Sequence, residues 1–435
     1  MSSIHFIQHI FRILPPVLPI IALDFPYPLW KLGALVSIYY LGSGFGQTPM
    51  GILADRYDRR FILPPSIGVM GLGYAVFAIV PQLVSPDAAA FTLLGASFTL
   101  QFVLMGLGVL IAGVGASAIH PIGYPLVATN VSADRVGSAY GVWGSAAKIG
   151  DAAAPMSIAI LILVVQWSDI FLLFGVVGLV YALGLFYAMS QAWFESRPAD
   201  QRAAEAEDED AEPTETTPDE TASDRRHYVY PMVALLVFFV ARAFSEKGLK
   251  TFLPTFLVVV YGYSFAFGSM TLTPESFANV YFTAVFLIAA FFQLLTGHLV
   301  DRHDHRTVLI TFFITAAVVL VVLATGTLTP LLLLGVLLVL GAANWGWTPA
   351  RDALMNDVTP PSREGRTFGY LHTISHLVSA MAPIMIGYVA EESSLQQSFL
   401  YLAAAMLIAV AAIGSLFSSR VYRPIDHESL TTPND

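Results

Sequence analysis

The chain has no cysteine, which removes disulfides, thiolate metal sites and cysteine nucleophiles from its chemistry. Charge is scarce as well: Asp, Glu, Lys and Arg make up 12% of its 435 residues, about half the share of an ordinary soluble domain. With 56% hydrophobic residues and a mean hydropathy of +0.68, a water-soluble globular fold is excluded. HExxH, GxSxG and a phosphate-binding Gly-rich loop after a strand are all missing, which sets aside the enzyme classes they mark. No enzyme activity, cofactor, metal or nucleic-acid partner is expected. The N-terminus has neither a separate basic region nor a small-residue cleavage site, so its apolar run is expected to stay as structure. Its shortness before Leu14-Pro15 leaves room for an upstream start.

What the chain has in abundance is long apolar runs. They predict twelve spanning helices, near 4–23, 32–54, 61–81, 97–128, 137–165, 169–190, 229–258, 276–300, 307–326, 330–357, 366–389 and 394–418. Such continuous runs suit membrane helices, whose backbone is satisfied internally, and not the short alternating segments of a barrel. The fold class expected is an all-α polytopic membrane protein. Residues 191–228 hold acidic, proline and threonine residues and almost no large apolar ones, the composition of a disordered linker. Twelve of the 31 acidic residues lie between Glu195 and Asp224, so the net charge of −10 belongs largely to this stretch. Fourteen arginines fall in loops and tail on one side of the spans and only Lys31 on the other. By the positive-inside rule both termini and the linker are cytoplasmic.

The two halves repeat at an offset of 228: Gly113 matches Gly341, Pro121 Pro349, Arg135 Arg363, Gly141 Gly369 and Pro155 Pro383. GILADRYDRR at 51–60 returns as GHLVDRHDHR at 297–306, in each half after the second span. A parallel six-plus-six repeat is an architecture of secondary transporters, with the substrate path at the interface of the halves.

The decamer resembles the loop signature G-x-L-x-D-R-x-G-R-R of the major facilitator superfamily. That resemblance implies the major facilitator fold: two six-helix bundles at 1–190 and 229–418, the linker at 191–228 and a cytoplasmic tail at 419–435. It also implies a gating role for Asp55, Arg56, Arg59, Asp301 and Arg302; the alternative is that the basic residues only set topology. Both copies carry Asp where the family has Gly, at Asp58 and Asp304, and aspartate tolerates a left-handed turn. Gly141, Gly150 and Ala154-Pro155 in the fifth span resemble the family's antiporter pattern, with plain helix packing as the alternative. The arginine that its drug:proton antiporters carry in the fourth span is here Val109. LPPVLPII at 14–21, YYLGSGFGQTPMGILADR at 39–56 and GASAIHP at 115–121 look most like the fosmidomycin-resistance branch of exporters.

Ionisable residues at membrane depth are costly and mark solute or proton paths. Lys148 lies about 18 Å along the fifth span from Val136, near mid-bilayer, where it pairs with Asp151 or serves substrate or protons. The repeat sets His376 opposite Lys148, on one stripe with His372; histidine titrates near neutrality, so both are proton-relay candidates. His120 shares a face with Tyr124. Arg351 and Asp352 follow Trp345 and Trp347. Arg242, Glu246 and Lys250 form a stripe on the seventh span, and Arg12 lies deep in the first, on a face with His5 and His9. Six basic residues, including Lys247, stand against three acidic ones within the spans, and a cavity with that excess attracts anions. The reading is a monomeric plasma-membrane transporter of a small organic anion such as a carboxylate, phosphate or phosphonate, working by alternating access. Proton-coupled efflux is the direction favoured; the alternatives are an anion importer or exchanger without proton coupling, or a non-transporting sensor of the same fold.

Overall fold

A computed structural model describes residues 2–25, 27–88, 90–93, 95–132, 135–197, 222–267, 270–300, 302–358 and 364–418. Its helices are α1 (Ser2–Ile10), α2 (Leu14–Asp24), α3 (Leu29–Arg56), α4 (Leu63–Leu83), α5 (Leu100–Ala116), α6 (Ile119–Asn130), α7 (Val136–Leu161), α8 (Trp167–Met189), α9 (Ala222–Phe256), α10 (Pro274–Val300), α11 (His305–Thr325), α12 (Pro330–Trp345), α13 (Thr348–Val358), α14 (Glu364–Ser379), α15 (Ala382–Glu392) and α16 (Leu395–Ser415). Among the described residues, nine segments are long and apolar enough to cross a membrane. The intramembrane charges expected from sequence lie mostly on helices outside that group, α7 and α9.

The helices follow the expected order of twelve segments, but four of these are each broken into two helices: the first, fourth, tenth and eleventh. Proline explains the breaks. It has no N–H to donate to the carbonyl four residues back, and Pro15, Pro121, Pro349 and Pro383 each stand just past an interruption. Two of the orphaned carbonyls are taken up by side chains of other helices, as membrane burial demands. The Tyr74 hydroxyl donates to Phe11 O, opposite Pro15; Gln293 Nε2 donates to Trp345 O at 3.1 Å, opposite Pro349.

Two short antiparallel hairpins were not expected: β1 (Ala90–Leu93) with β2 (Ala96–Thr99), and β3 (Phe265–Phe267) with β4 (Met270–Leu272). Gly95 turns the first at φ +82°, a conformation that favours glycine. Thr99 then caps α5 by accepting from Phe102 N, so the fourth segment begins at Leu100, three residues later than its apolar run. α9 begins at Ala222, inside the stretch read as linker, while 198–221 lie outside the described residues.

The chain divides into two compact units. The first takes in residues 1–212, 250–287 and 380–395; the second takes in 213–249, 288–379 and 396–435. Within the first unit, α3 packs closely on α15 because Gly33 and Gly387 bring it against the backbone at Pro383 and Leu29. The Glu391 carboxylate accepts from Leu29 N at 3.0 Å, satisfying an orphan amide at the start of α3.

Candidate functional site

In the first unit Asp151 lies on α7, 4% exposed. His9 of α1 brings Nδ1 to 2.9 Å from Oδ1, Arg12 brings Nη1 to 3.5 Å from the same oxygen, and Lys250 of α9 brings Nζ to 3.5 Å from Oδ2. α1 reaches α7 this closely because residue 150 is glycine: a Cβ there would lie 2.7 Å from both His9 Cβ and Phe6 O. Arg12 occupies the interruption between α1 and α2, and its Nη1 stands 3.2 Å from His9 Nδ1. Lys250 also lies 5.0 Å over the Phe286 ring. Lys148, three residues before Asp151 on α7, is half-buried. Between Arg12, Tyr40, Asp151, Lys250, Phe282 and Phe286 is a cavity of about 20 Å³, room for a single water. A larger solute requires these elements to separate.

The seventh-segment stripe therefore divides. Lys250 serves Asp151 in the first unit, whereas Arg242 and Glu246 belong to the second, where Nη1 lies 2.5 Å from Oε2. Glu246 Oε1 accepts from Trp345 Nε1 at 3.0 Å, and the Arg242 guanidinium sits 4.8 Å over Trp347 and 5.9 Å over Phe239. Arg351 faces the same two rings at 5.5 and 5.9 Å and bonds its neighbour Asp352 at 2.6 Å. The two tryptophans thus act inside this cluster, one holding a carboxylate and the other bearing two guanidinium groups. Lys247 Nζ donates to His376 O at 2.9 Å. His376 Nδ1 bonds the carbonyl of His372, with the rings 5.9 Å apart, and His372 meets the Phe239 ring edge-on at 5.2 Å. Among the described residues no group of three or more His, Cys, Asp or Glu could hold a metal.

His120 meets the ring of His5 edge-on at 5.2 Å. His5 is stacked on Trp143 at 4.5 Å and donates from Nδ1 to Trp143 O at 2.8 Å. His5, His9 and Trp143 were not chosen as site residues from sequence. The signal was there for two of them, in the His5, His9, Arg12 spacing that puts all three on one helical face.

The signature loops correct one expectation. Asp58 and Asp304 adopt φ −56° and ψ 122° and 125°, not a left-handed turn. Both are helix caps: Asp58 accepts from Arg60 N, and Asp304 accepts from Arg306 N and Thr307 N. Each also pairs with the arginine two residues on, at 2.9 and 2.5 Å. The hydrogen bonds from the Arg306 side chain, helped by its charge, hold the Asp304 carboxyl below its ordinary range against the opposing effect of burial. Asp55, Arg56 and Arg302 are exposed, while Arg59 is 6% exposed and its backbone amide donates to Ser196 O at 3.1 Å. Asp301 lies outside the described residues. Of the antiporter-like glycines, Gly150 serves a close helix contact and Gly141 has nothing within 4 Å of an added Cβ.

The family model of the Major Facilitator Superfamily matches residues 2–274 and 271–432. A probable L-galactonate transporter of Escherichia coli K12 is 30% identical over 156 residues, 36% of this chain and only 30% of that protein's length. Among solved structures, a bacterial homologue of the human lysosomal transporter Spinster, inward-facing and occupied, aligns with TM-score 0.69 at 16% identity over 97% of this chain and 96% of its own. A D-xylose-proton symporter aligns with TM-score 0.71 at 15% identity over 97% of each chain. These two likenesses speak to fold. Together with the family match along nearly the whole sequence and the repeated signature loop, they make this multi-pass membrane protein a member of the Major Facilitator Superfamily.

Proposed function

We propose that the protein is a secondary transporter of a small organic anion, with proton movement linked through Asp151. The observation that carries this reading is the closure of two fixed cations and a histidine on one buried carboxylate. Protonating Asp151 deprives Arg12 and Lys250 of their counter-charge and leaves them to an incoming anion. A carboxylate substrate agrees with the relative named for L-galactonate, a sugar acid. The six basic groups against three acidic ones in the spans support the same sign of cargo. We propose a plasma-membrane monomer, and the arginine distribution supports cytoplasmic termini.

Two directions have separate support. The likeness of the first half to the fosmidomycin-resistance exporters favours efflux by proton antiport. Asp151 favours co-transport, because protonation there raises affinity for the anion, and two ligands that reinforce each other travel together.

Reconstituted vesicles with an internal pH-sensitive dye test both. L-galactonate is offered first, then a panel of carboxylates, phosphates and phosphonates. Proton movement with the substrate supports co-transport, and opposite movement supports antiport. Substrate flux without proton movement removes the proton link, and anion flux unchanged in both Arg12→Ala and Lys250→Ala removes the anion site.

A further inference from the structure

The first unit contains a row of imidazoles that ends on Asp151. His120 of α6 meets His5 of α1 edge-on at 5.2 Å, His5 meets His9 edge-on at 4.8 Å, and His9 Nδ1 lies 2.9 Å from Asp151 Oδ1. At these centroid separations the imidazoles are close enough for water to carry a proton from one ring to the next. The far end reaches the surface of the unit, since His120 lies against Tyr124 at 6.1 Å and Tyr124 is 45% exposed.

His5 shows a feature that packing does not explain. Its Nδ1 faces the Trp143 carbonyl, which can only accept, so Nδ1 carries the hydrogen in the neutral ring. Nε2 is then a bare lone pair, and it is buried without a hydrogen-bond partner in a residue 5% exposed. An unpaired buried acceptor costs stability. A ring held by one nitrogen, with a bare lone pair on the other and two further imidazoles edge-on to it, is arranged to pass a proton along the row.

We infer that His120, His5 and His9 form a proton path from the Tyr124 end of the first unit to Asp151. This rests on the proton link proposed above. The first step breaks an O–H bond of hydronium in the surrounding water as an N–H bond forms on His120, and each transfer between imidazoles breaks one N–H bond and forms another. His5 receives it at Nε2, becomes an imidazolium and releases it from the same nitrogen towards His9. His9 takes it at Nε2 and becomes an imidazolium; at the last step its Nδ1–H bond breaks and an Asp151 Oδ1–H bond forms, turning the carboxylate into a neutral acid. His9 Nδ1 then has a lone pair facing Arg12 Nη1 at 3.2 Å, so the guanidinium that loses Asp151 gains the imidazole. The charged and titratable groups around the row are Arg12, Lys148, Asp151 and Tyr140 on its flanks, Tyr124 at its mouth and Lys250 beyond Asp151.

The test uses protons alone. The full chain in lipid nanodiscs is given a rapid pH jump while infrared absorption follows the protonated-carboxyl band assigned to Asp151 by its loss in Asp151→Asn. His5→Gln keeps a donor for the Trp143 carbonyl, and His120→Phe keeps a ring against His5. Both are expected to slow the band's rise at least about tenfold with its final amplitude kept, and added imidazole is expected to restore the rate. A purely packing role would not respond to imidazole. Wild-type rates in both variants overturn the path while leaving the proton link standing. A wild-type protein whose Asp151 band never appears overturns both.

Discussion

His9 and Asp151 face each other at 2.9 Å across a helix contact that exists because residue 150 has no side chain. One missing methyl group therefore decides whether the buried carboxylate has its nearest partner. Gly150→Ala places a Cβ against His9 Cβ and Phe6 O, and overpacking of this kind costs about 1–3 kcal/mol. Gly144 on the same helix has nothing within 4 Å of an added Cβ. Thermal unfolding in detergent is expected to show a lower Tm for Gly150→Ala and an unchanged one for Gly144→Ala. Equal Tm values would mean that α1 moves aside without loss.

Removing the carboxylate and removing one of its partners are not equivalent. Asp151→Asn leaves Arg12, Lys250 and His9 around a neutral amide, and stripping the counter-charge from a buried ion pair costs about 3–5 kcal/mol. Lys250→Met leaves Asp151 with Arg12 and His9, and its apolar chain still covers the Phe286 ring. Tm is expected to fall clearly further in Asp151→Asn than in Lys250→Met, while both lose coupled transport. The reverse order would show that Asp151 is neutral in the resting state.

Span order and the identity of the charged segments were legible in the sequence because hydropathy and the 228-residue offset are local properties of the chain. The partners of Asp151 were not. Lys148 at i, i+3 was the neighbour that spacing offered, yet His9 and Arg12 lie about 140 residues away and Lys250 about 100, and no periodicity links them. The helix breaks were half legible: the prolines were visible, but a membrane helix tolerates proline when a side chain elsewhere takes the orphan carbonyl, and Tyr74 and Gln293 could not be assigned that task beforehand. Asp58 and Asp304 were misread for a different reason. A short polar side chain suits a left-handed turn and a helix cap alike, and only the backbone angles separate the two.

The cap at Asp304 carries a pH dependence. Its carboxyl is held below the ordinary range by Arg306, so the stabilisation is fully present above the unfolded-state value and fades as pH falls through the depressed folded value. The side chain is 40% exposed, and solvent screening keeps the ion-pair part of the effect small. Hydrogen exchange at the first amides of α11 is expected to be well protected at neutral pH and to lose protection in acid, relative to other helix starts. Asp304→Ala should remove the difference and weaken the cap by about 1 kcal/mol or less. Protection that ignores pH would assign the start of α11 to packing.

In the second unit, the question is whether Arg242 acts as a charge or as a shape. Its guanidinium bonds Glu246, whose other oxygen is held by Trp345, and it lies over Trp347 with Phe239 beside it. Lysine in its place keeps the charge and loses the planar face and the forked donors. A desolvated cation–ring contact is worth about 2 kcal/mol, so Arg242→Lys is expected to weaken the apparent affinity for a probe anion roughly tenfold or somewhat more. L-galactonate counterflow in vesicles measures it, with Tm recorded alongside to separate binding from folding. A loss of affinity at unchanged Tm makes the aromatic seat an anion contact of the second unit. Wild-type affinity in Arg242→Lys together with its loss in Arg242→Met would leave only the charge in use, and the Trp347 ring would then serve packing alone.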